Sequence, residues 1–187
     1  MCYTALALAY CQIESEKQKR HGRWLPTVFV LWGVIVSYMV AGHGGNLQFF
    51  FFHFNYDLIQ VFVFIGIFKY VRNSKNPAAL STFYQSLILY SIAIVLWMID
   101  LNFCSLMESL PLNPQFHSFW HLFAGTGCYL SCMLVVLHRT EVCDIPADVA
   151  WYWGFLPYVK ELKGEEANQF MMMLKSGALL LKAKKNL

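Results

Sequence analysis

Four long apolar stretches, residues 24–41, 47–68, 79–103 and 118–137, constrain this chain more than any other feature. A helix needs roughly 20 predominantly apolar residues to cross about 30 Å of hydrocarbon, and each stretch approaches or reaches that length. The first, WLPTVFVLWGVIVSYMVA, carries no charge, and its Pro26 falls in the first turn, where a missing N–H does little harm. The second contains only His53 and Asp57, the third a single acid, Asp100, close to its far end, and the fourth only His121. All are apolar on every face, which suits lipid or bundle burial. With 58% hydrophobic and only 13% charged residues, the chain is too apolar for a disordered tail or a water-facing domain. The expected fold class is therefore all-α, a polytopic transmembrane helix bundle with four full spans. The opening MCYTALALAYCQI is apolar but too short to span, lacks the preceding basic residues of a signal peptide, and reads as a partial N-terminal span.

The basic residues test the topology. Lys17, Lys19, Arg20 and Arg23 lie in the first loop, Lys69, Arg72 and Lys75 in the third, and Arg139 with six lysines beyond it in the tail. The connections 42–46 and 104–116 have none. Positive loops stay cytoplasmic, so Met1 and the loops at His43 and Pro111 are expected outside the cytoplasm, and the C-terminus inside it. A formal net charge of +3, distributed this way, does not suggest a nucleic-acid partner. The partner expected from these segments is the lipid bilayer.

Among residues able to do chemistry, His117 and His121 stand out. Four residues apart at a helix start, they stack on one face with zinc-ligand spacing. Two histidines are half a site, and the pair serves equally well as imidazoles bonding interfacial lipid or Trp120. Asp100, which the topology puts on the same side of the membrane, is costly there without a partner. It can orient a ligating imidazole, accept a proton, or cap its own helix. His53 and Asp57 form a second i, i+4 pair, with Asp57 about 15 Å deep by helical rise; they are a functional candidate or a local hydrogen bond between helices. His43 reads as a turn residue. Cys128 and Cys132 share a face, but His121 lies about 10 Å from Cys128, too far for a common metal. With Gly125, Gly127 and Ser131 they read as small residues that let helices approach. No inverted repeat or broken-helix pair points to a transporter.

These residues fall into a specific pattern. WMIDLNFC followed by QFHSFWHLFAGTGCYL resembles the alkaline ceramidases, in which W-x-I-D-x-x-x-C precedes F-H-x-x-W-H and G-x-G-x-Y-L. Trp97, Ile99, Asp100, Cys104, His117, Trp120, His121, Gly125, Gly127, Tyr129 and Leu130 agree. WYWGFLPYV, from Trp151 to Val159, is similar to the family's post-helix segment, and MCYTALALAY resembles the stretch after its D-E-x-P-M motif. The resemblance implies a seven-helix membrane hydrolase of the endoplasmic reticulum or Golgi that cleaves ceramide to a sphingoid base and a fatty acid through zinc-activated water. It makes His117 and His121 two of three zinc ligands, with Asp100 a candidate orienting or proton-transfer carboxylate. The family's third histidine, in S-x-x-x-H, and its D-E-x-P-M acid have no counterpart here, and His53 in FHFNYD matches the family's F-H-Q only in two residues. The expectation is a domain over 1–160 lacking the first two of seven helices, binding zinc weakly and hydrolysing little. The alternative is a non-catalytic pseudoenzyme or lipid receptor of the same superfamily. The remainder, 161–187, reads as a cytosolic tail, amphipathic on the membrane surface or disordered. Its final Lys184, Lys185, Asn186 and Leu187 resemble a dilysine retrieval signal for the endoplasmic reticulum.

Overall fold

The computed structural model describes residues 2–14, 21–74, 76–109, 115–154 and 156–185, without the side chains of Cys2, of 104–108 or of 177–185. Lys17, Lys19, Arg20, Lys75, Pro111, Phe155, Asn186 and Leu187 lie outside the described residues, as does the Cys104 side chain. Helix α1 (Cys2–Ile13) precedes four long helices, α2 (Trp24–Gly42), α3 (Gly45–Asn73), α4 (Pro77–Glu108) and α5 (Phe116–Val142). Each of the four is long and apolar enough to cross a membrane, so this is a multi-pass membrane protein with an all-helical bundle. The apolar stretch 79–103 ends where α4 bends: Phe103 departs from helical geometry (φ −121°, ψ 23°). Gln115, in a left-handed conformation (φ 53°), turns the chain into α5.

The helices meet through small side chains and buried polar groups. Ser86 Oγ on α4 donates to the Gly127 carbonyl on α5 at 2.9 Å and lies 3.0 Å from Ser131 Oγ. A Cβ at Gly127 would sit 2.7 Å from the Tyr90 ring, so only glycine permits this approach. Gly125, in contrast, faces open space, so of the two glycines only Gly127 serves the seam. Between α1 and α3, Gln12 Nε2 donates to the Val63 carbonyl at 2.7 Å while its amide presses against Gly66.

Packing is uneven along the bundle. In α3 the buried residues are Val63, Ile67, Tyr70 and Val71, all in its second half, and they cluster with Ala79, Phe83, Leu134 and Leu137. This is the end that carries Lys69, Arg72 and Arg139, called here the basic end. It is further tied by Glu141, which accepts from Tyr70 Oη at 3.0 Å and Ser74 Oγ at 2.7 Å. The opposite end, where α3 begins and α4 finishes, is looser and contains the cavity described below.

Beyond α5 the chain forms something the sequence pattern did not anticipate, an antiparallel hairpin of β1 (Ala147–Tyr152) and β2 (Leu156–Glu161). Its apolar run lacks the polar alternation of a half-wet strand, because one face packs on the bundle through Ala147, Val149 and Val159. Asn76 Nδ2 donates to the Ala147 carbonyl at 3.4 Å, holding the hairpin to the start of α4. Helix α6 (Gly164–Lys185) follows, with Phe170 buried, so the first part of the tail is helical. Lys160 pairs with Glu166 at 3.0 Å, and that carboxylate raises the lysine above its ordinary pKa.

Candidate functional site

Helices α4 and α5 pack along their length, which sets the end of α4 beside the start of α5. Asp100 and His117, seventeen residues apart, thereby meet: His117 Nδ1 lies 3.0 Å from Asp100 Oδ2. A carboxylate only accepts, so Nδ1 carries the proton, and in the neutral ring Nε2 holds the lone pair. His121 stands one turn further along α5, its ring 4.9 Å from that of His117 and nearly perpendicular to it (76°). The His117 side chain is 56% exposed and that of Asp100 30%, so the pair sits at a partly open surface.

Two indoles continue from this cluster towards α3. Trp120 contacts both imidazoles, at 5.1 Å from His117 and 4.2 Å from His121, and stands 6.4 Å from Trp97. Trp97 in turn lies 5.1 Å from His53. His53 is thus separated from the His117 cluster by an aromatic ladder and does not join it. Its Nδ1 is 3.8 Å from Asp57 Oδ2, too far for a hydrogen bond, with Asp57 65% exposed. His43 Nδ1 donates to the Met39 carbonyl at 2.7 Å, closing the end of α2. Cys128 and Cys132 are free thiols, partly buried against the core.

Beside the ladder, between α3 and the α4–α5 pair, lies a cavity of about 480 Å³. Its walls are mostly apolar or aromatic, and include His53, Phe64, Tyr90, Ile94, Trp97 and Trp120. That size and lining suit a lipid-like ligand with few polar groups. Gln60 also lines it, and its Nε2 is buried without a hydrogen-bond partner among the described residues. Sequence reading missed Gln60 as well as the connecting roles of Trp97, Trp120 and Ser86. Gln60 left a signal, an amide inside a largely apolar span, and Trp97 and Trp120 left one in the motif that carries them.

The donor set at His117 and His121 suits zinc: two imidazoles on one helix face, one of them held by a carboxylate through its second nitrogen. Among the described residues no group of three histidine, cysteine or carboxylate side chains surrounds a common point.

A family model described as Ceramidase matches residues 1–160. Over 159 residues the chain is 26% identical to the alkaline ceramidase of Arabidopsis thaliana, a match covering 82% of this chain and 59% of that protein. Over 169 residues it is 25% identical to alkaline ceramidase 3 of Mus musculus, covering 85% of this chain and 61% of the relative. The chain therefore spans about three fifths of the length of these curated relatives.

Proposed function

The chain belongs to the ceramidase family, and on that premise we propose that it is a membrane amidohydrolase acting on ceramide, with His117, His121 and Asp100 at its reactive centre. The observation that carries this reading is the 3.0 Å bond between Asp100 and His117 Nδ1. It fixes one tautomer and leaves Nε2 as the ligating atom, the arrangement by which a carboxylate raises the basicity of a metal-bound imidazole. His117 and His121 would hold zinc, which when bound supplies an activated water and polarises the amide carbonyl. Asp100 keeps the His117 ring from rotating and holds the proton on Nδ1. Trp120 packs against both imidazoles and restricts their rotamers.

Ceramide needs room for its hydrocarbon and polar contact for its amide and hydroxyls. The 480 Å³ cavity next to Trp97 and Trp120 provides the first, and Gln60 Nε2 offers a donor to a substrate oxygen. A cavity between membrane-spanning helices lets a lipid enter sideways without crossing water. With two imidazoles as the ligands among the described residues, zinc binding is weak and turnover slow. The basic loops support a multi-pass protein with the end beyond α5 on the cytosolic side, and the family reading suits a membrane of the endoplasmic reticulum or Golgi.

The test is release of fatty acid from ceramide by the purified chain in lipid nanodiscs. Slow turnover that a chelator and His121→Ala both abolish supports the reading. One observation favours a second reading: the absence of a third ligand among the described residues suits a non-catalytic lipid-binding member. Saturable ceramide binding with no turnover, zinc supplied, would select it.

A further inference from the structure

The β1–β2 hairpin does not hang below the bundle. Tyr129 Oη, from the middle of α5, donates to the Pro157 carbonyl at 2.5 Å. Leu137 is the last residue before the polar His138–Arg139 pair, and Tyr129 precedes it by eight residues, about 12 Å of helix. The hairpin therefore folds back alongside α5 into the zone occupied by that helix's apolar half. Its eleven central residues, Val149 to Val159, contain no charge, whereas Asp148 and Lys160 face each other across its base.

The exposed residues point the same way. Trp153 is 78% exposed, and Trp151 and Tyr152 are about half exposed. Three aromatic side chains at a tip beside a membrane-crossing helix have the composition of an interfacial belt. A strand edge in hydrocarbon is costly unless its backbone polar groups are satisfied. At Pro157 both are dealt with: proline has no N–H, and the carbonyl is taken by Tyr129.

We propose that this hairpin is a re-entrant element embedded in the lipid leaflet at the basic end of the bundle. Trp151, Tyr152 and Trp153 touch acyl chains and the headgroup boundary, and Lys160 and Lys163 lie at the level of the phosphates. Its partner is the bilayer itself. The proposal does not depend on ceramide hydrolysis.

A nitroxide amino acid introduced by stop-codon suppression at position 153, leaving the native cysteines in place, reports the surroundings of the tip. The full chain is reconstituted in nanodiscs of mixed phosphatidylcholine and phosphatidylglycerol. Power-saturation spectra then compare collisions with oxygen, which concentrates in lipid, and with a water-soluble nickel chelate. Immersion gives an oxygen-to-nickel collision ratio several-fold higher at 153 than at a control label on 163. Equal ratios would mean a tip in water, and low collision with both reagents would mean a tip covered by protein; either overturns the proposal. Should the labelled protein not fold, the wild type and Trp153→Phe are compared for fluorescence quenching by brominated lipid. Loss of a strongly quenched component in Trp153→Phe supports immersion, and loss of an unquenched one refutes it.

Discussion

Replacing Asp100 separates a metal-orienting carboxylate from a packing one. The Asp100–His117 bond spans 3.0 Å between side chains 30% and 56% exposed. Asp100→Asn keeps an acceptor but removes the charge. A charge-assisted hydrogen bond contributes about 1.5–3 kcal/mol and a neutral one about 0.5–1.5, so the loss is about 1 kcal/mol, or about fivefold in zinc affinity. Asp100→Ala removes the bond altogether. Loss of such an outer partner weakens metal binding by about 10- to 100-fold, and the open surface here selects the lower end, about tenfold. The metal-free protein should scarcely notice either change, because an exposed pair of this kind contributes about 0–1 kcal/mol to folding. Zinc affinity is read by competition with a chromophoric indicator of micromolar affinity, and folding by thermal unfolding of the metal-free protein in nanodiscs. The expected ordering of affinity is wild type, then Asn, then Ala, with unfolding temperatures nearly level. Unchanged zinc affinity in Asp100→Ala together with a marked fall in unfolding temperature would refute the orienting role and leave Asp100 a structural tie between α4 and α5.

Gly127→Val drives a branched side chain into the Tyr90 ring, which even a Cβ would approach to 2.7 Å, and should cost about 1–3 kcal/mol in unfolding assays in micelles. Ser86→Ala deletes hydrogen bonds to the Gly127 carbonyl and to Ser131. At about 0.6 kcal/mol for each within a membrane, the loss is roughly 1.2 kcal/mol, seen as earlier unfolding on titration with a denaturing detergent. Gln60→Leu removes a buried amide without a partner among the described residues, so stability should hold or rise by about 1 kcal/mol while ceramide binding weakens; equal loss of both would mean the amide serves the fold. Tyr129→Phe breaks the bond to Pro157 and should raise the water accessibility of a probe at position 153 while leaving the helix content measured by circular dichroism unchanged.

The four spans were legible in the sequence because membrane insertion is a local sum. Whether Trp24–Gly42 or Phe116–Val142 prefers lipid depends on its own residues, so run length and charge count suffice. Even the end of the third apolar stretch at residue 103 coincides with the bend in α4. His117 and His121 were legible as a pair for a similar reason, since four residues along one helix fix their separation. Contacts between helices are another matter. The relative rotation and depth of α4 and α5 depend on how Ser86, Gly127 and Ser131 fit together, and no single segment contains that information. Only this packing decided that Asp100 reaches His117, that Trp97 and Trp120 hold His53 apart from the cluster, and that Gly125 faces open space. The hairpin was hidden for the same reason. Ala147, Val149 and Val159 lie against the bundle on one side and Trp151, Tyr152 and Trp153 are exposed at the tip, so the segment shows no alternation from which a strand is read. Local preference for lipid is written residue by residue, whereas the meeting of distant side chains is set by the fit of whole helices against one another.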